Sequence, residues 1–124
     1  MNVALWIVQA VLALVFLGAG TIKLTQSREQ LITKLGGWVE DYPTGGIRAI
    51  GAAEVLGAVG LIVPPALHIH PKLAPLAAVG LAMVMGGAIV VHALRGEYSK
   101  VVVNVALAAL AIFVAWGRFG PCKF

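Results

Sequence analysis

The sequence predicts an all-α integral membrane protein, an up-and-down bundle of four transmembrane helices with a short interfacial helix in the first loop. Of its 124 residues, 60% are hydrophobic and 11% are charged, and the mean hydropathy is +0.97. A soluble globular domain carries about 25% charged residues, so this chain has too few charges to cover a surface in water. Four apolar stretches follow one another along the chain, and about 20 apolar residues are enough for a helix to cross the hydrocarbon layer.

The four predicted spans belong to a single membrane domain that covers residues 1–124. Pro64 and Pro65 are expected to end the second span, because proline cannot continue a helix, and Gly96 is expected to cap the end of the third. Short connections after the second and third spans make the helices that they join antiparallel neighbours. The spans are predicted at residues 3–24, 47–63, 73–94 and 100–116.

The long connection between the first and second spans has the pattern of a short amphipathic helix. Ser27 is followed three residues later by Gln30, which matches a capping box at a helix start, and five apolar residues recur at the spacing of one helix face. We expect this helix to lie in the membrane interface and to cover the end of the bundle; a solvated loop is the alternative. The five apolar residues are Leu31, Ile32, Leu35, Trp38 and Val39.

The basic residues do not form a nucleic-acid-binding surface. The net charge is +4, but the nine lysines and arginines are scattered singly between apolar runs, whereas nucleic-acid binders cluster them on one face. We expect no nucleic-acid partner and interpret these residues as flanking charges that contact the head groups of the lipid bilayer. Arg118, two residues after Trp116, is expected to be such an interfacial anchor.

No metal or haem site is expected from the sequence. His92 is the only histidine within a predicted span, so haem would lack axial ligands inside the bundle. His68 and His70 lie together in a loop without a third metal ligand. Cys122 is the only cysteine, which excludes intramolecular dithiol chemistry.

Four polar residues are predicted to lie near one side of the membrane, because successive helices alternate in direction. Glu54 is the residue that most needs a partner, since an unpaired charge within a span costs about 2.5–3.5 kcal/mol. It is therefore expected to face the bundle interior and either to pair with one of the other three or to be protonated. Lys23 taken singly would extend its amine to the interface. The four residues are Lys23, Glu54, His92 and Asn104.

Two interpretations of this polar cluster are open. In the first, its members form interhelical hydrogen bonds that fix the register of the bundle. In the second, they form a proton path or a binding site for the polar head of a lipophilic molecule, because ionisable groups inside a membrane mark such sites. An acid, an imidazole and an amide together suit proton-coupled chemistry.

Three stretches of the chain carry the motifs of a known family. They read FLGAGTIKL at residues 16–24, GAAEVLGAVGLIVP at 51–64 and MGGAIVVH at 85–92, and the last continues through Tyr98 to Asn104. Over nearly the whole chain the sequence resembles the DoxX-like family of small bacterial membrane proteins, and the lysine, glutamate, histidine and asparagine of the polar cluster carry the match. The family is named after a subunit of an archaeal thiosulfate:quinone oxidoreductase, so the resemblance implies a place near the quinone pool.

The leading functional hypothesis is a membrane subunit or accessory protein of a quinone-linked redox system. Glu54 and His92 would be the catalytic, proton-handling groups; Asn104 would hydrogen-bond a quinone-type carbonyl, and Lys23 would belong to the same cofactor-binding set. The expected partner is a redox subunit or a second copy of the chain, and whether the chain is itself an enzyme stays open. The alternatives are a non-catalytic scaffold or assembly partner and, less favoured, a small proton-coupled exporter, because such exporters keep their acid in the first helix.

The distribution of basic residues predicts an orientation. Six lysines and arginines lie on the long-loop side of the predicted bundle and three on the other. By the positive-inside rule this places the long loop in the cytoplasm and both termini outside a bacterial cytoplasmic membrane. The six are Lys23, Arg28, Lys34, Arg48, Arg95 and Lys100, and the three are Lys72, Arg118 and Lys123.

Overall fold

The computed structural model describes residues 1–70 and 72–122, and within them it contains five α-helices, one 3₁₀ helix and no β-strand. Four of the α-helices are long and apolar enough to cross a membrane. The predicted all-helical fold with four spanning helices is confirmed. In chain order the elements are α1 (Asn2–Thr25), α2 (Arg28–Leu35), the 3₁₀ helix (Gly37–Asp41), α3 (Thr44–Ala66), α4 (Leu73–Leu94) and α5 (Tyr98–Phe119).

The four long helices form a closed ring. α1 packs against α3 and α5, and α4 packs against the same two helices, so the order around the ring is α1, α3, α4, α5. Phe16, Leu61 and Leu81, from three different helices, are almost completely buried in the shared core. Close packing of this kind, rather than exclusion from water, holds helices together in lipid.

α3 does not stop before Pro64 and Pro65 but includes both and ends at Ala66. Pro65 has no N–H to donate to the carbonyl of Leu61, four residues before it. The completely buried side chain of Gln9 on α1 supplies the missing donor, since its Nε2 atom lies 2.6 Å from that carbonyl oxygen. The prediction that the prolines end the helix is therefore wrong, because a neighbouring helix replaces a hydrogen bond that proline removes.

The short helix predicted in the first loop is present as α2, and the 3₁₀ helix follows it. Its capping box is confirmed: each of Ser27 and Gln30 accepts a hydrogen bond from the backbone N–H of the other through its side chain, both at 3.2 Å. Leu31 and Val39 are completely buried and pack with Ile47 of α3. The apolar face therefore rests on the end of the bundle and covers it.

Arg118 is buried at the opposite end of the bundle, with 3% of the residue exposed. Its Nε atom donates to Gln9 Oε1 at 2.8 Å, its Nη1 atom donates to Asn2 Oδ1 at 2.7 Å, and its guanidinium lies 5.5 Å from the centre of the Trp6 ring. The expectation that Arg118 is an interfacial anchor is wrong, because its side chain turns towards α1 rather than towards the lipid head groups.

Candidate functional site

A cavity of about 390 Å³ lies within the bundle, and side chains from all four spanning helices line it. Cavities of about 300–1,000 Å³ are typical of small-molecule sites. The four polar residues singled out in the sequence all line this cavity, so the alternating helix directions bring them to one place. They are Lys23, Glu54, His92 and Asn104.

Lys23 and Glu54 form a buried ion pair across the contact between α1 and α3. Lys23 Nζ lies 2.7 Å from Glu54 Oε1, and the two side chains are 10% and 3% exposed. Lys23 thus supplies the partner that Glu54 was expected to need, and the expectation that its amine extends to the interface is wrong. The opposite charge offsets part of the desolvation cost of burying each group.

Two glycines bring the backbones of α1 and α3 close enough for this ion pair. A Cβ atom on Gly20 would lie 2.6 Å from the carbonyl oxygen of Gly51, and a Cβ atom on Gly51 would lie 2.7 Å from the Cβ atom of Lys23. Neither position has room for a side chain unless the two helices move apart. Arg48 of α3 adds a second link, because its Nη1 atom donates to the backbone carbonyl of Lys23.

His92 is buried and pairs with Glu97, a residue that the sequence analysis did not single out. His92 Nδ1 lies 2.9 Å from Glu97 Oε1. The imidazole also meets the Trp38 ring of the 3₁₀ helix edge to face, with ring centres 5.6 Å apart. The ring is therefore held on two sides while it forms part of the cavity wall.

The end of α4 explains why Glu97 lies beside His92. Gly96 has a φ of +71° and caps the helix as predicted. Its N–H donates to the carbonyl of Ala93, and the N–H of Glu97 donates to the carbonyl of His92, which is the Schellman pattern of a helix end. In this pattern the residue directly after the capping glycine lies beside the residue five positions before it. The spacing of Glu97 from His92 around Gly96 is therefore the sequence signal from which this contact could have been predicted.

Glu97 is surrounded by positive charge. Arg95 Nε lies 3.3 Å from its Oε1 atom and Lys100 Nζ lies 3.4 Å from its Oε2 atom. The hydrogen bond with His92 holds the pKa of the Glu97 carboxyl below its usual value, against the opposite effect of desolvation, and Lys100 adds to the lowering. The side chain remains 23% exposed. The Glu97 carboxylate therefore contacts His92, which lines the cavity, on one side and water on the other.

Asn104 contributes a donor that no part of the described chain accepts. Its Nδ2 atom is buried and has no hydrogen-bond partner among residues 1–70 and 72–122. A buried donor left without an acceptor costs about 1–3 kcal/mol. An oxygen atom of a ligand in the cavity would gain a hydrogen bond at this position.

The cavity has a polar end and an apolar end. The polar end lies near the loops, where Lys23, His92 and Asn104 line it, and the apolar end lies near the middle of the spans, where Val15 and Met83 line it. Val15 is 40% exposed and Met83 is 72% exposed. Because these two residues lie at mid-depth on the outside of the bundle, the cavity opens sideways, towards the acyl chains of the bilayer.

The first loop covers the polar end of the cavity. Trp38 and Tyr42, from the 3₁₀ helix and the residue that follows it, line the cavity there. Three cationic side chains hold this segment in place. Arg95 pairs with Asp41, Lys100 donates to the carbonyl of Leu35, and Arg28 donates to the carbonyls of Val39 and Glu40.

Comparison with known proteins identifies the family of the chain. Searches of curated proteins and of solved structures return no match. The model of the DoxX-like family matches residues 7–114, a range that includes all four residues of the polar cluster. The chain is therefore a multi-pass membrane protein that belongs to the DoxX-like family.

Proposed function

We propose that this protein binds the head group of a quinone-type lipophilic molecule in its intramembrane cavity, as a membrane subunit or accessory protein of a quinone-linked redox system. The observation that carries the proposal is the two-ended cavity: a polar end with an ion pair, an imidazole and an unpartnered amide donor, and an apolar end open to the bilayer. A ligand with a polar ring and an apolar tail matches both ends.

Each of the four residues has a role in this proposal. Asn104 donates from Nδ2 to a carbonyl oxygen of the ring. His92 and Glu54 are the proton-handling groups, and Lys23 keeps the Glu54 carboxylate in place through the ion pair. A quinone bound here would supply the redox chemistry, while the chain positions the ring and controls its protonation.

The ion pair also supports a second candidate function, that of a non-catalytic scaffold or assembly partner. Lys23 and Glu54 face each other across the close Gly20–Gly51 contact, which is the arrangement expected of interhelical polar contacts that set helix register. In that case removal of the ion pair lowers stability, and the cavity has no ligand of its own.

Direct binding distinguishes the two candidates. Purified protein in lipid nanodiscs is titrated with a benzoquinone and a naphthoquinone that carry short isoprenoid tails, and the quenching of Trp38 fluorescence is followed. We expect saturable binding that Asn104→Ala weakens by about threefold to tenfold, the value of one hydrogen bond. Trp6 and Trp116, which do not line this cavity, are replaced by Phe in all variants so that the signal reports on Trp38.

Val103→Ala is the matched control, since Val103 precedes Asn104 on α5 and is 57% exposed on the outside of the bundle. This variant should bind the quinones as the parent protein does. Absence of binding to the parent protein, or equal affinity of the Asn104 and Val103 variants, would contradict the proposed quinone site. Loss of stability in Glu54→Gln without any quinone binding would favour the scaffold.

A further inference from the structure

We propose that Glu97 is a positioning residue of the cavity, which holds His92 in the tautomer that carries its proton on Nδ1 and offers the lone pair of Nε2 to a hydroxyl group of the ligand. The inference rests on the proposed function, because it concerns the ligand of the same cavity. It adds that the same cavity offers an acceptor, at Nε2, to a hydroxyl group such as the reduced form of a quinone-type ring carries.

The geometry of the pair determines which nitrogen carries the proton. A carboxylate only accepts hydrogen bonds, so at 2.9 Å the Nδ1 atom of His92 must be the donor to Glu97 Oε1. In a neutral imidazole the other nitrogen is then an acceptor. Among residues 1–70 and 72–122 no hydrogen bond reaches Nε2, and the ring forms part of the cavity wall. Nε2 is therefore the nitrogen left to a ligand.

The surroundings of the pair keep this arrangement in place. From the loop, Arg95 Nε lies 3.3 Å from Glu97, and from α5, Lys100 Nζ lies 3.4 Å from it. Both cations favour the ionised carboxylate, which can accept but cannot donate. Arg95 is itself held by Asp41 of the 3₁₀ helix.

On the cavity side, the charges that share the site with the His92 ring are those of Lys23 and Glu54, which form an ion pair at 2.7 Å. The Trp38 ring packs on the imidazole and limits its rotation. Glu97 is thus the charged group that is hydrogen-bonded to His92, as expected for a carboxylate that orients a functional imidazole.

This arrangement gives a proton a path from the cavity to water. The O–H bond of a ring hydroxyl breaks and an N–H bond forms at Nε2, which leaves an oxyanion on the ligand and an imidazolium at His92. The negative charge of Glu97 stabilises the imidazolium, and no electrons leave the ligand in this step. Because Glu97 is partly exposed, the proton on Nδ1 of the imidazolium can then pass through the carboxylate to water at the loop end of the bundle, which leaves the neutral ring protonated on Nε2 until it next exchanges a proton.

The tautomer of His92 is measured by ¹⁵N NMR of protein labelled at histidine, with the His92 signals assigned by their loss in His92→Gln. In the wild-type protein we expect the neutral ring to carry its proton on Nδ1. Glu97→Ala should abolish that preference, whereas Glu97→Gln should retain it, since the amide oxygen still accepts from Nδ1. Glu40→Gln is the matched control, because it removes an equally negative charge from an exposed residue at the same end of the bundle.

Binding tests the other half of the inference. Wild-type protein should bind a short-tailed hydroquinone about threefold to tenfold more tightly than its dimethyl ether, which has no hydroxyl to donate. Glu97→Ala should remove this difference and Glu97→Gln should keep it. A proton on Nε2 in the wild type, or an unchanged tautomer in Glu97→Ala, overturns the inference while the quinone site stands. If neither quinone nor hydroquinone binds, the proposed function fails. The binding measurements alone show this failure, whatever tautomer the NMR spectra give for His92.

Discussion

Gly51 of α3 lies directly against Lys23 of α1: a Cβ atom added to the glycine would come within 2.7 Å of the Cβ atom of the lysine. The Gly51→Ala substitution should therefore force α1 and α3 apart and stretch the Lys23–Glu54 ion pair. We expect a loss of stability of about 1–3 kcal/mol, as for other over-packed sites. The free energy of unfolding in mixed detergent micelles is the measurement.

Gly18→Ala is the control for this substitution. Gly18 lies on α1 two residues from Gly20, and a Cβ atom there would meet nothing within 4 Å. Its replacement should leave stability almost unchanged. Equal effects of the two alanines would mean that helix propensity, and not the close contact, determines the result.

The Lys23–Glu54 ion pair predicts strong coupling between its two members. Glu54→Gln leaves a buried ammonium without its opposite charge, so we expect it to cost about 1.5–3 kcal/mol of stability. Lys23→Met should cost clearly less in the Glu54→Gln background than in the wild type. A double-mutant cycle measures this coupling, and simple additivity of the two effects would show that the pair contributes nothing.

The hydrogen bond from Gln9 to the Leu61 carbonyl predicts coupling between Gln9 and Pro65. Gln9→Leu should destabilise the bundle, but by about 1 kcal/mol less in a Pro65→Ala background, because alanine restores the helical N–H donor to that carbonyl. Pro64→Ala is the matched control, since Pro64 removes the donor from a different carbonyl. If both backgrounds behave alike, the side chain of Gln9 does not replace the bond that Pro65 removes.

The lowered pKa of Glu97 predicts how stability depends on pH. A carboxyl whose pKa is lower in the folded than in the unfolded protein stabilises the fold when the pH is above its pKa in the unfolded protein. This stabilisation is lost as the pH falls through its pKa in the folded protein. The difference in free energy of unfolding between wild type and Glu97→Gln should therefore be largest near neutral pH and become smaller below about pH 4.5. Unfolding measured at a series of pH values checks this, and a difference that grows towards acid pH would contradict it.

Cysteine labelling in intact cells tests the predicted orientation. With the long loop in the cytoplasm, Cys122 lies outside and should react with a membrane-impermeant maleimide. A Ser99→Cys variant that also carries Cys122→Ala places the thiol at the exposed start of α5, and it should react only after the membrane is opened. The reverse pattern would invert the topology.

Hydropathy and local motifs were enough to predict most of the architecture. Spanning segments, the Ser27–Gln30 capping box and the Gly96 cap depend on residues close together in the chain, so their signals lie in short windows of sequence. The placement of Lys23, Glu54, His92 and Asn104 near one end of the bundle followed from the alternating direction of the helices alone. The second span was predicted too short because the donor that lets α3 pass through its prolines lies on α1.

The sequence by itself determined the number of helices, their order and the depth at which each polar residue lies. Only the tertiary structure decided which residues of different helices meet: Lys23 with Glu54, and Arg118 with Gln9. The reason is that these helices are apolar on nearly every side, so hydropathy does not determine their rotation about the helix axis. That rotation depends on where small residues allow close approach, as Gly20 and Gly51 do, and on which buried donors and acceptors can satisfy one another once the backbones are in contact.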